Sequence, residues 1–522
     1  MVTLLTYGAL VLFVATVANR ILAFFNQIVL MKYIGPETVG LFQMIFPIYI
    51  LLLVLATAGI PVALTKKAAE EAAKGQWGNV RTYVIAALVS TVFMGTFVTI
   101  IAFFLPSFLF TEVVADVRAE TAYLVLLPSI LLIAISSVLR SFCQGLQSME
   151  PTAIASFVEQ VIRIVTGLTA ALLLLPKGLE WAAAGVALGI TLGELFGLLS
   201  LSFLSGPFLF RRLKTFWSHI HMPSTLSLRQ AFFSLWPLAY PIAISRIITC
   251  LMLSVDAYLI PRTLQESGMS MAEATAAFGS FNGGAAPLVT IPTVFTIPLS
   301  ISLIPGIAES WALQQRETVR YRTVKALRFT ALVSWPIVAI LFLAGGDIAN
   351  LLFDLEGLGP SLRILAVGAL FLYIHQTTTS ILQGMGQVVF PLIVTVIASA
   401  VRAFAFIYLA SSPDLGLEGV AWAYSISNFI TALFHLAWFY HYLNISVHQW
   451  MFLFRPALGA ILMMLSFYYL FGAMAEDHSL LMRLMLASVP STLLYLVSLP
   501  LLGCLTKDDL SSLPGLRWLR RK

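Results

Sequence analysis

Residues 144–180 read QGLQSMEPTAIASFVEQVIRIVTGLTAALLLLPKGLE, and residues 383–418 read QGMGQVVFPLIVTVIASAVRAFAFIYLASSPDLGLE. Gln144-Gly145 aligns with Gln383-Gly384 and Arg163 with Arg402 at an offset of 239; Gly178-Leu179-Glu180 aligns with Gly416-Leu417-Glu418 at 238. Each stretch carries an apolar run of roughly the 20 residues that cross hydrocarbon. Two further matches keep the order. Ile60-Pro61 before the charged loop Lys66 to Arg81 recurs as Ile304-Pro305 before Glu309 to Arg328, and Arg20 has Arg246 as its counterpart. A duplicated hydrophobic pattern is the mark of a membrane fold built from repeats. Seven helices per repeat would invert the second half in the membrane.

The rest of the chain agrees with membrane insertion. Of 522 residues, 59% are hydrophobic and 10% charged, with mean hydropathy +0.94. Soluble domains carry about 25% charged residues, so a cytosolic, secreted or nucleic-acid-binding globule is excluded. The pattern predicts an all-α integral membrane protein of about fourteen spans in two seven-helix repeats. The spans fall near 4–31, 39–64, 82–108, 120–142, 152–175, 181–205, 232–260, 283–308, 324–346, 361–384, 388–411, 418–442, 453–474 and 480–504. The organisation expected is an N-terminal lobe, 1–205; an interfacial connector, 206–231; a C-terminal lobe, 232–442; two further helices in 443–504; and a basic tail, 505–522. The amino terminus has no positive n-region or small-residue cleavage site, and reads as the first span rather than a signal peptide.

Charge orients these spans. One face collects 20 Lys/Arg against 7 acids, the other 6 against 14. Short cytoplasmic loops gather Lys and Arg, so both termini are expected in the cytoplasm of a multi-pass cell-membrane protein. The net charge of +6 is then a property of one membrane face, with no nucleic-acid partner implied.

With the charges near span ends counted on the two faces, Arg140 among them in the basic-face loop 140–151, seven remain inside the spans: Arg20, Arg163, Arg246, Arg402, Glu159, Glu194 and Asp256. Each costs at least about 2.5–3.5 kcal/mol on insertion scales, so each needs a partner or a wet cavity. Glu159 and Arg163 stand at i and i+4, either a self-neutralising pair or part of a substrate path. The residue equivalent to Glu159 in the second repeat is Ala398, which leaves Arg402 without a matching acid. Arg20 and Arg246, in the first helix of each half, could grip a diphosphate bidentately. Substrate-binding candidates are therefore Arg20, Arg246, Arg402 and Arg163; ion-coupling candidates are Glu194, Asp256 and Glu159. His375, in a Gln/Thr-rich stretch, reads as a satisfied polar contact. Pro47, Pro61, Pro237, Pro241, Pro292, Pro298 and Pro305 gather in helices 2, 7 and 8, as bends or static kinks.

No GxxxxGK[ST] or HExxH motif is present. Cys143, Cys250 and Cys504 are far apart with no metal spacing. No catalytic residue, cofactor or metal is expected.

Several local motifs fall in a familiar order: Arg20-Ile-Leu, Gly59-Ile-Pro-Val-Ala, Ala134-Ile-Ser-Ser-Val-Leu-Arg-Ser-Phe-Cys-Gln-Gly, Pro151-Thr-Ala, Val158-Glu-Gln-Val-Ile-Arg163, Ala182-Ala-Ala-Gly, Gly193-Glu194 and Thr506-Lys-Asp-Asp-Leu-Ser-Ser-Leu-Pro. In that order they resemble the stage V sporulation protein B group of the polysaccharide-biosynthesis flippase family. Its superfamily also holds multidrug-and-toxin extruders, oligosaccharide-lipid flippases and the lipid II flippase MurJ. The resemblance implies a fourteen-helix transporter, two lobes around a central cavity, moving a polyprenyl-diphosphate-linked peptidoglycan precursor outward, for the spore cortex, among membrane lipids and in company with cell-wall synthesis proteins. It matches Arg20 to the cavity arginine of the first helix in MurJ-like relatives. Their next helix-1 arginine falls on Asn26 and their helix-8 arginine near Leu288, both neutral here. Two rivals remain: a cation-coupled drug extruder using Asp256 and Glu194, and a membrane glycosyltransferase or polymerase using a lipid-linked donor. The longest outward loop, about 261–282, is short and poor in charge for the second.

Overall fold

A computed structural model describes residues 2–206, 211–290, 292–293, 304, 306–445, 447–474 and 479–504. The described chain is helical, with no strand among the described residues. Thirteen of its helices are long and apolar enough to cross a membrane. The expected span 283–308 lies partly outside the described residues, as do Pro298, Pro305 and the tail 505–522.

The helices that matter below are α1 (Val2–Ile34), α2 (Pro36–Thr57), α3 (Ile60–Ala73), α4 (Trp77–Phe103), α5 (Glu120–Gly145), α6 (Glu150–Leu174), α7 (Leu179–Leu204), α8 (Arg211–Ser218), α9 (Leu228–Glu266) and α10 (Met271–Ser280). They are followed by α11 (Arg316–Phe353), α12 (Gly359–Gly384), α13 (Val389–Ala405), α14 (Gly416–Leu443), α15 (Val447–Ala473) and α16 (Leu480–Leu501). The single span expected over 39–64 is two helices. Ala58 (φ 46°) and Gly59 (φ 72°) both take the left-handed conformation between α2 and α3. A Cβ at Gly59 would meet the Ala239 carbonyl oxygen at 2.3 Å, so glycine alone lets α9 seat there.

Contacts divide the chain into two compact units, 1–283 and 284–522. This division by packing differs from the division by repeat at 206–231. The seventh span, α9, packs on α2, α3 and α4 in the first unit, with Ser234 Oγ donating to Tyr83 Oη at 3.1 Å. In the second unit α12 packs between α11 and α14, and α15 pairs with α16.

Within the first unit the connector is tied down more firmly than an interfacial segment needs to be. Leu213 and Phe216 of α8 are buried in a cluster with Tyr83 and Phe142. The Asn79 side-chain oxygen accepts from Thr225 N at 2.9 Å and Ser224 Oγ at 3.0 Å, while its nitrogen donates to Glu71 Oε2 at 2.8 Å. Arg81 donates to the Ile220 carbonyl at 2.8 Å. At another corner, the fully buried Asp116 accepts from Thr275 Oγ1 at 3.0 Å and from Arg118 at 2.7 Å, and Arg118 reaches Glu37 at 2.7 Å. This ionic knot holds the start of α2 to α10. A Cβ at Gly40 would lie 2.1 Å from the Thr275 carbonyl oxygen.

Candidate functional site

Gly185, Gly189, Gly193 and Gly197 recur every fourth residue along α7 and so line one face of it. Small residues at this spacing let helix backbones approach closely in a membrane. Here they face α6: a Cβ at Gly189 would come within 2.4 Å of Gly167 Cα, and one at Gly193 within 2.9 Å of Arg163 Cβ. The stripe therefore sets the distance at which α6 and α7 exchange charge. Arg163 donates through Nη2 to Glu194 on α7 at 3.0 Å and to Glu159 one turn earlier on α6. Glu159 also accepts from Arg140 of α5 at 2.5 Å, and Arg140 donates to Ser156 Oγ at 2.6 Å.

The expected two-residue pair is thus a four-residue chain, Arg140–Glu159–Arg163–Glu194, with two charges of each sign. Mutual neutralisation is what makes burial in a low-dielectric setting tolerable. Sequence reasoning assigned Arg140 to the basic-face loop and missed it here. The signals for it were the glycine stripe and the i+4 spacing of Ser136 and Arg140, whose side chains also bond at 3.1 Å.

Two cavities run along this cluster. Arg163 lines one of about 220 Å³ together with Asn26, Gln27, Gln43, Gln160 and Phe46. Among its lining atoms, Asn26 Oδ1, Gln27 Nε2 and Arg163 Nε are buried with no hydrogen-bond partner in the protein. A second, of about 240 Å³, is lined by Arg20, Thr16, Asn19, Ala23 and Ser156. Ala23 lines both, so α1 carries a polar wall from Arg20 to Gln27. Of the charged residues Arg20, Arg140, Glu159, Arg163 and Glu194, only Arg163 and Arg20 line the cavities, one each. Asn26, neutral where an arginine was sought, supplies an acceptor rather than a second cation.

The other sequence candidates lie elsewhere. Arg246 is exposed on α9 and makes no ion pair among the described residues. Asp256 is buried on the same helix. Arg402, expected without a partner, lies in the second unit with its guanidinium 4.9 Å from the Tyr424 ring centre and 3.5 Å from Ser399 Oγ. A cation–π contact has taken the place of the missing acid, so Arg402 is not the unpaired charge the sequence suggested. His375 sits 6.5 Å from His435, ring to ring, and its Nδ1 is buried without a partner, so it is less satisfied than expected. No group of three or more His, Cys, Asp or Glu among the described residues could hold a metal ion.

Comparison with known proteins decides what this scaffold is. Residues 5–311 match the family described as polysaccharide biosynthesis protein, and residues 285–489 match that of the lipid II flippase MurJ. Stage V sporulation protein B of Bacillus subtilis (strain 168) is 30% identical, over 84% of this chain and 84% of that protein. The chain belongs to the polysaccharide biosynthesis protein family. The lipid II flippase MurJ of the same organism is 24% identical over 76% of this chain and 75% of its own. Among solved structures, the inward closed conformation of lipid II flippase MurJ superposes with TM-score 0.70 at 16% identity, over 94% of this chain and 97% of that one. An inward-facing multidrug resistance MATE family transporter superposes at 0.66 and 17%, over 82% and 94%. At such identities the likeness is one of fold. This family member is a multi-pass membrane protein by its thirteen span-length apolar helices among the described residues, and its fold is that of the flippase and multidrug resistance transporter structures.

Proposed function

We propose that the chain flips a polyprenyl-diphosphate-linked peptidoglycan precursor such as lipid II to the outer leaflet by alternating access, in support of spore cortex synthesis. The observation that carries this reading is Arg20 on the polar wall of α1, beside Ser156 and Asn19. A guanidinium recognises a diphosphate through a planar fork of donors, and the amides of Asn26 and Gln27 along the same wall, with Gln43 of α2 lining the same cavity as these two, suit a sugar's hydroxyls. Glu159 and Glu194 fix Arg163 in one orientation. An extruder coupling a cation at Glu194 would have to displace Arg163 from it first.

The test is transport by the purified chain in proteoliposomes. Lipid II should cross, a cationic drug should not, and Arg20→Ala should abolish the lipid II signal. Drug transport without lipid II transport would replace this reading by the extruder, with Glu194 and Asp256 as coupling sites.

Both termini are cytoplasmic in this proposal, on the strength of the charge asymmetry. Single cysteines placed at Glu112 and Leu179 should label from outside intact cells, and those at Gly75 and Arg316 should not. External labelling at Gly75 would reverse the orientation.

A further inference from the structure

The second unit carries an amphiphile-shaped site whose lining includes none of the charges discussed above. On the surface of α12 and α14 an apolar groove of about 380 Å³ is lined by Phe342, Val367, Phe371, Trp422 and Phe429, with Arg363 as its one charged residue. Gly368 forms its floor: a Cβ there would meet Ser425 Oγ at 2.3 Å, so the two helix backbones touch and their aromatic side chains become walls. Phe371 and Phe429 stand edge to face, 5.0 Å apart. Val367, Trp422 and Phe429 remain 48%, 47% and 44% exposed.

Arg363 also lines an adjoining polar cavity of about 320 Å³ with Asp347, Asn350 and Glu356. The turn behind it is set by Asp354 (φ 55°) and Gly357 (φ 82°). One cation and two carboxylates converge on this cavity, yet no ion pair joins any two of them among the described residues. Opposite charges that line one cavity without pairing can instead complement a ligand bearing both signs.

We propose that groove and cavity bind one aminophospholipid. Its phosphate lies at Arg363, its primary ammonium at Asp347 and Glu356, and an acyl chain along Phe371, Trp422 and Phe429. A choline headgroup cannot donate hydrogen bonds to the carboxylates, and a glycerol headgroup brings no cation to them.

The full-length chain, purified in detergent, is titrated with phosphatidylethanolamine, phosphatidylcholine and phosphatidylglycerol, and bound lipid is counted by native mass spectrometry. Phosphatidylethanolamine should be retained about tenfold more than phosphatidylcholine, the worth of roughly one charge-assisted contact. Asp347→Asn with Glu356→Gln should erase that preference, Arg363→Gln should lower retention of both, and Val367→Trp should lower retention of all three by filling the groove. Glu356→Gln alone, on an exposed turn, covers the case in which the double variant does not fold. Equal retention of the three lipids by the unaltered chain overturns the proposal. So does displacement of phosphatidylethanolamine by equimolar polyprenyl phosphate, which would give the groove to the cargo's carrier.

Discussion

Gly193 of α7 rests directly on Arg163 of α6. A Cβ at position 193 would lie 2.9 Å from both Arg163 Cβ and the Glu159 carbonyl oxygen. The contact that carries charge between the two helices therefore depends on a residue with no side chain.

A graded outcome follows for alanine along the stripe. At Gly189 the obstacle is backbone, 2.4 Å from Gly167 Cα; at Gly197 it is the Glu159 side chain, 3.0 Å from its Cβ. Overpacking costs about 1–3 kcal/mol when the neighbours cannot yield. Gly189→Ala should lower the thermal unfolding temperature most, Gly193→Ala less, and Gly197→Ala least. A reversed order in detergent-solubilised protein would show that the stripe does not set the helix separation.

The charge swap Glu159→Arg/Arg163→Glu would be tolerated if these residues formed an isolated pair. They do not: the new arginine would face Arg140 and the new glutamate would face Glu194, the partners of the present side chains. Breaking one buried pair costs about 3–5 kcal/mol, and the swap creates two like-charge contacts. The double variant should be lost from the membrane, as read by its abundance. Adding Arg140→Glu and Glu194→Arg, which inverts all four charges, should restore much of it. Full recovery of the simple swap would reduce the cluster to a local pair.

Legibility stopped where periodicity stopped. Span number, the internal repeat and the buried Glu159–Arg163 pair are visible because length, spacing and charge in an apolar run are local properties. Arg140 was read as a loop charge because hydropathy places it at a helix end, while its contact with Glu159 depends on how α5 meets α6. Arg402 was read as unpaired because only carboxylates were sought opposite it; an aromatic ring on α14 serves instead. The break at Ala58 and Gly59 hides in an apolar run because the left-handed turn is demanded by α9, 180 residues away in the chain at Ala239.

Acid should loosen the connector. Burial pushes the Glu71 carboxyl up, but hydrogen bonds from Lys74 and Asn79 and the charges of Lys74 and Lys67 outweigh this and hold it below its ordinary value. A carboxyl with a depressed folded-state pKa adds stability above its unfolded pKa and loses it as pH falls through the folded value. Hydrogen exchange over residues 213–226 should therefore stay slow at neutral pH and speed up only below the ordinary carboxylate range. Glu71→Gln should flatten that dependence. Loosening near neutral pH instead would show that Glu71 does not control the connector.

The last prediction sets Arg20 against Arg246, which the repeat makes equivalents and the fold does not. Arg20 lines a polar cavity with Asn19 and Ser156, beside the ionic cluster. Arg246 is exposed on α9, and no cavity described above includes it. If a diphosphate is gripped by a guanidinium fork, Arg20→Lys keeps the charge but loses the paired, coplanar donors. Lipid II flipping should then fall about tenfold or more, the worth of one charged hydrogen bond, with membrane abundance unchanged. At Arg246, which is exposed as Arg20 is but lines none of the cavities described above, Lys should be nearly silent. Measuring initial flipping rates of both variants in the same liposomes decides the matter. Equal loss at both positions would mean that the two arginines act together on the cargo as their repeat relationship suggests, and unaltered flipping in Arg20→Lys would remove the α1 wall from the diphosphate's path.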